Sequence, residues 1–483
     1  MTTPRIAAPA VPSAARIPGG RFGNQPALDG LRAISVIAVI LYHAGFGWMV
    51  GGFYGVEVFF VVSGFLITTL LIEERERSGG NSLGQFWLRR ARRLLPALFT
   101  LLAAVALWAW MFGTAEQQAQ LRSDLPWSIF YVANWGQIVG KIPYYSSGDP
   151  LLRHLWSLAV EEQWYLVWPL AFLGLAVLGW SRWRNAAILF GLFLAIWAAM
   201  AVAASGSLQT PLRIPLLGTV DRTNFMYLSS ITRAGGLLLG AAAAYIWRPW
   251  RRVNRSVALG LEGLAAAALT GIVLIFCFAR LNEPYTFQFV LPLVSLFSLI
   301  VVAAAVHPAA PGIRRLLSGK ALVAVGRRSY GIYLWHWPIF VFAGADHASI
   351  GRVVLAAVIT AVVSELCFRY IETPVRHGAI GRLWGRWSEL QHDRAGIGLL
   401  AAGVILPGLL VVALFTHYAA VKPFDRAAGG SDVAFAEPVS TSGPSPSVSS
   451  TTPAGGQPST TTVVGAAPSS TTAAGSPVLP GPS

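Results

Sequence analysis

Apolar runs of roughly twenty residues recur along this chain with short polar stretches between them, a spacing that predicts membrane-spanning helices. Eleven runs fit: 31–50, 53–72, 94–113, 156–178, 186–205, 229–247, 256–279, 288–306, 329–345, 350–370 and 396–418. Only the ends are polar. The pattern therefore predicts an all-α, polytopic membrane bundle over 29–378 and a cytoplasmic linker over 379–395. One additional span over 396–418 follows. Residues 1–28 read as a disordered cytoplasmic segment, rich in Ala and Pro and with no cleavable signal peptide. Residues 419–483 read as a disordered tail, because 438–483 carry no charge and are mostly Ser, Thr, Pro, Gly and Ala.

Composition agrees with the pattern. Of the 483 residues, 54% are hydrophobic and only 12% charged, too few polar groups to cover a soluble globule of this size. The 18 tryptophans suit two membrane–water interfaces. A net charge of +15 would suggest nucleic acid in a soluble protein; here it reads as cytoplasmic loops, and no nucleic-acid partner is expected. With the N-terminus inside, 24 Lys and Arg fall on inner segments and ten on outer ones. That bias predicts a multi-pass plasma-membrane protein with its N-terminus cytoplasmic and its C-terminus extracytoplasmic.

Five segments place chemistry in this apolar background. The first run carries Arg32 and His43, eleven residues apart. At about 100° per residue they share one helix face, about 16 Å apart along the axis. Burying both is costly unless they face a protein interior or a watery cavity; the plainer alternative is a snorkelling Arg and a His at the outer boundary. The second run holds Glu57 near its outer end and Ser63-Gly64 farther in, where small residues let helices approach. Ser63 lacks the frame of a nucleophile elbow and reads as packing. Arg89, Arg90, Arg92 and Arg93 precede the third run: a topology signal, or a phosphate site for guanidinium forks. His154, Glu161, Glu162 and Gln163 crowd what reads as the outer mouth, as functional candidates or with one acid paired to Arg153 or Arg233. His336, between Trp335 and Trp337 and before Pro338, reads as a packed, hydrogen-bonded residue, and Glu372 as a partner of Arg327 or Arg328. No Cys/His spacing suggests a metal.

Taken in order, from about Leu28 to Arg376, these segments resemble the acyltransferase 3 family of membrane-bound O-acyltransferases. The resemblance rests on the Arg-x10-His helix, the Gly-Val-acid-x-Phe-Phe-Val-x-Ser-Gly-Phe helix and the Arg-rich approach to Leu-Pro. It also rests on His-x-Trp-Ser-Leu-x-Val-Glu-x-Gln and on Tyr-Leu-Trp-His-Trp-Pro. Glu57 stands where the family usually has Asp, and Trp164 where it often has Phe. The resemblance implies transfer of an acyl group, often acetyl, from cytoplasmic acyl-CoA to a hydroxyl of an extracytoplasmic glycan or glycolipid. It implies His43 as general base, Arg32 on the donor's oxygens, and Glu161 or Glu162 orienting His43 or binding the sugar. The basic cytoplasmic mouth would take the donor's phosphates. Some family members continue through an eleventh span and a linker into an extracytoplasmic SGNH-type domain; here the tail resembles such a stalk, with a separate partner domain as one expectation. A glycolipid flippase and a non-catalytic membrane scaffold are the competing readings, and a thioester-dependent assay separates both from an enzyme.

Overall fold

The computed structural model describes residues 23–141, 150–215, 217–247, 254–281, 283–345 and 349–378. The linker, the span expected at 396–418, the tail and residues 1–22 lie outside the described residues.

The helices follow the apolar runs in chain order. They are α1 (Pro26–His43), α2 (Gly55–Ser78), α3 (Leu83–Phe112), α4 (Ala115–Ile129), α5 (Ala133–Val139), α6 (Leu155–Val177) and α7 (Arg182–Ala204). After a short antiparallel hairpin, Leu212–Ile214 with Gly218–Val220, come α8 (Arg222–Leu228), α9 (Ser230–Ile246), α10 (Arg255–Phe278) and α11 (Leu291–Val306). The short pieces α12 (Pro311–Leu317) and α13 (Lys320–Arg327) lead to α14 (Ser329–Phe342), α15 (Ile350–Cys367) and α16 (Thr373–Arg376). Local signals set several boundaries. Pro26 opens α1, where its missing N–H costs nothing. Gly79 ends α2 in the left-handed conformation at φ +74°. Thr114 and Gln117 form a reciprocal capping box on α4.

The first ten expected spans each coincide with a helix. Seven helical stretches are long and apolar enough to cross a bilayer, counted among the described residues by length and composition. The shortfall falls on α6, α9 and α14. The 17 residues of α9 and 14 of α14 reach only about 25 and 21 Å, against a hydrocarbon core of about 30 Å. In α6 the length suffices, but Glu161-Glu162-Gln163 interrupts the apolar run. These three helices carry Glu161, Glu162, Gln163, Arg233, Tyr330, Tyr333 and His336.

Layering explains the difference. In the apolar stretch of α2, 78% of residues are buried, whereas α7 is 22% buried and α10 and α15 are each 28% buried. So α2 is the axis of the bundle and the other three are its lipid-facing wall, with Leu192, Leu264, Leu274, Leu355 and Val362 exposed. An apolar belt of this kind would be a liability in water and is expected in lipid.

Small residues bring the backbones together. A Cβ at Gly64 would overlap the carbonyl of Leu237, and one at Gly240 would overlap that of Val61, so α2 and α9 touch along their main chains. Gly236 and Gly240 form the small-x-x-x-small spacing that suits such contacts. Gly236 also makes room for Glu57, because a Cβ there would strike its carboxylate. Glu57 pairs with Arg233 at 2.7 Å, both nearly inaccessible, and Ser295 donates to the same carboxylate at 2.5 Å. The rings of Phe60, Trp156 and Tyr227 surround the guanidinium. Arg233 is therefore not an outer-loop charge, and its partner is Glu57 rather than Glu161 or Glu162. The expectation for Glu372 changes too. Arg328 pairs with Glu365, Arg327 faces Asp29 at 3.6 Å, and Oε1 of buried Glu372 has no hydrogen-bond partner among the described residues. A π-helical turn over Phe368–Glu372 sets the backbone register at this acid.

Candidate active site

A series of adjoining cavities runs through the bundle from the α2–α3 end to Tyr333. It starts at a basic cleft of about 560 Å³ bounded by Glu73, Glu74, Arg77, the four arginines of α3 and Arg376. Burial splits those four. Arg90 and Arg93 turn inward, half-buried, whereas Arg89 and Arg92 are exposed. Arg90 lies over the Tyr165 ring at 4.4 Å, while Arg89 reaches only the rim carboxylate of Glu74 at 3.9 Å.

Arg90 and Arg93 also line the next cavity, of about 50 Å³, with Arg32, Glu161, Glu162 and Tyr330. There Glu161 accepts hydrogen bonds from both Ser63 and Tyr165, and the Tyr165 hydroxyl oxygen lies 3.0 Å from Ser63 Oγ. Ser63 is thus a polar anchor, and Gly64 is the residue that permits close approach. Nearby Tyr131, in the α4–α5 connection, holds its phenol proton well above the ordinary range, first through burial and then through Glu162.

Arg32, Glu161 and Tyr330 are shared with a third cavity of about 40 Å³, whose other walls include Phe59, Ser157 and Tyr333. Each of the two inner cavities has room for about one or two water molecules. A larger ligand would have to displace the Arg32, Glu161 and Tyr330 side chains that separate them.

Tyr333 connects the third cavity to a cluster of three histidines. Its hydroxyl bonds Ser157 at 2.6 Å and the carbonyl of His154 at 3.1 Å, and its ring packs on His154 and His336. Nδ1 of His43 lies 2.9 Å from Nε2 of His336, and the two rings stack. Trp337 meets His43 edge-on at 4.8 Å, and Arg153 lies over Trp337. Pro338 accounts for the place of His154. Having no N–H, it leaves the carbonyl of Leu334 without its helical donor, and His154 Nε2 donates to that oxygen at 2.9 Å. His154 and His336 are buried, whereas His43 is partly exposed at the end of α1.

Arg32, Arg90, Arg93, Glu161 and Glu162 are therefore brought together, and His43, His154 and His336 form a second group. The expected meeting of Glu161 or Glu162 with His43 is not among the contacts: seven residues, or about 10 Å of α6, separate Glu161 from His154. Gln163 serves packing. Its amide donates to Tyr131 at 2.8 Å and Asn134 at 2.9 Å and accepts from Ser230 and Trp135, locking α6 to α5 and α9. Ser157, Tyr165, Tyr330, Tyr333 and Arg376 were not singled out by sequence reasoning. All but Arg376 are hydroxyl residues lying within one or two turns of a candidate acid or histidine, which is the signal that would have found them.

An acyltransferase domain matches residues 25–369. The chain is 37% identical over 414 residues to the peptidoglycan O-acetyltransferase OatA of Listeria monocytogenes, covering 81% of this chain and 62% of that protein. It is 34% identical over 361 residues to the O-acetyltransferase OatA of Staphylococcus aureus, covering 73% and 57%. The chain thus spans about three-fifths of the length of these relatives. No solved structure matches it.

Proposed function

The chain belongs to the acyltransferase family whose domain matches residues 25–369, and from that premise we propose that it O-acetylates a cell-envelope glycan, peptidoglycan first, using cytoplasmic acetyl-CoA. The acceptor is suggested by the relatives' activity. One observation supports the donor above others: the adjoining cavities lead from a basic cleft past Arg32 and Glu161 to Tyr333, whose ring packs on two histidines of the cluster that holds His43. A donor with several phosphates suits the basic cleft, and its long thin arm would follow the inner cavities once the Arg32, Glu161 and Tyr330 side chains between them move aside. Its phosphates meet Arg90 and Arg93, and its arm passes Arg32 and Glu161. Arg32 donates to oxygens of the arm, and Glu161, held by Ser63 and Tyr165, keeps a fixed anion opposite the guanidinium groups.

At the far end His43 acts as general base. It takes the proton of the acceptor hydroxyl as that oxygen attacks the thioester carbonyl. The carbon–sulfur bond then breaks, and the proton passes to the departing thiolate. General-base assistance of this kind is worth about 10²–10⁴-fold. In this reading the N-terminus and the α2–α3 connection are cytoplasmic, and residues 419–483 extracytoplasmic. The test is transfer of label from acetyl-CoA to muropeptides by purified protein in vesicles. Absence of both transfer and slow thioester hydrolysis from a correctly inserted protein would refute it.

A further inference from the structure

The hydrogen bond between His43 and His336 is 2.9 Å long, and its surroundings decide which ring donates. Nδ1 of His336 lies 2.6 Å from the backbone oxygen of Tyr333. A carbonyl only accepts, so that nitrogen carries the hydrogen. His336 is fully buried among Trp335, Trp337 and Phe340. The charged and titratable groups facing the pair are Arg153, His154, Tyr42 and Tyr333, and among the described residues no carboxylate touches either ring. Burying a second positive charge beside that of Arg153 would be costly, so His336 is neutral. Its Nε2 is then an acceptor. His43 must donate from Nδ1, which leaves the lone pair on its Nε2 unengaged.

We infer that His336 is a positioning residue for acyl transfer: its Nε2 holds His43 in the tautomer whose own Nε2 is free to take the acceptor's proton. The inference rests on His43 being the general base. The Tyr333 carbonyl supplies the last link, because it fixes His336 in turn. The sequence suggested only that His336 is packed and hydrogen-bonded; the fold gives that hydrogen bond a direction.

Three substitutions test this in reconstituted full-length protein, with His43→Ala measured alongside. His336→Phe keeps a ring but loses the acceptor. His336→Asn stays polar but ends short of His43. His336→Gln carries an amide oxygen to about the position of Nε2. Loss of the correct tautomer costs up to about 10⁴-fold elsewhere. Phe and Asn should therefore lower kcat by about 10²–10⁴-fold, with KM for acetyl-CoA within about twofold. Gln should recover at least about tenfold over Asn. Phe and Asn variants turning over within about threefold of the parent would overturn the inference, as would a Gln variant no better than Asn. If the Phe variant does not insert, the Asn–Gln comparison decides alone. An inactive His43→Ala with silent His336 variants sinks only the positioning role; an active His43→Ala sinks the general-base reading itself.

Discussion

Replacing Arg90 or Arg93 by alanine is expected to weaken acetyl-CoA binding far more than the same change at Arg89 or Arg92. All four lie within five residues of one helix, so sequence treats them alike. The structure turns Arg90 and Arg93 toward the inner cavity and leaves the Arg89 side chain 59% exposed. A charge-assisted hydrogen bond to a desolvated phosphate contributes about 1.5–3 kcal/mol, so its loss raises Kd about 10–150-fold. An exposed ion pair contributes about 0.2–1 kcal/mol, or at most about fivefold. Equilibrium titration of acetyl-CoA into nanodisc-embedded protein reads the difference, after labelling has shown each variant inserted in the parental orientation. Arg93→Lys should recover part of the affinity, since it restores the charge but lacks the planar fork. Equal losses at all four positions would mean that the cluster acts as an undivided field. No loss at any would reduce it to a topology signal.

Three further outcomes follow. His43→Ala should abolish turnover with acetyl-CoA binding nearly intact, whereas Arg32→Ala should weaken both and Arg32→Lys should recover only part; steady-state kinetics beside binding separates them. Arg233→Leu should destabilise the protein by about 3–5 kcal/mol by leaving Glu57 buried and unpaired, and pairing it with Glu57→Leu should recover most of that; detergent thermal denaturation measures it, and an additive double mutant would contradict the pairing. A cysteine placed at Ser442 should react with an impermeant reagent in intact cells; reaction only after lysis would mean the span count is wrong by one.

Much of the architecture was legible in the sequence because lipid offers a backbone no alternative partner. Long apolar runs must close their hydrogen bonds within a helix, so hydropathy alone locates α1, α2, α3, α7, α10, α11 and α15. Residue order also carried the five motifs and the Arg32–His43 helix face.

Sequence could not supply the partners. His43 and His336 are 293 residues apart, Glu57 and Ser295 are 238 apart, and Ser63 and Glu161 are 98 apart. A buried polar group must find a complement, but every candidate acid in the chain can in principle serve every candidate base, and only packing chooses among them. That is why Glu161 or Glu162 could be expected either beside His43 or on the sugar, whereas Glu161 lies with Arg32, and why Glu372 was given to Arg327 or Arg328. The existence of helices was settled by local physics, which one residue's neighbours determine. The direction of a hydrogen bond, the depth of a charge and the separation of the arginine–carboxylate group from the histidine group were settled by which helix lies against which, and that depends on the whole chain at once.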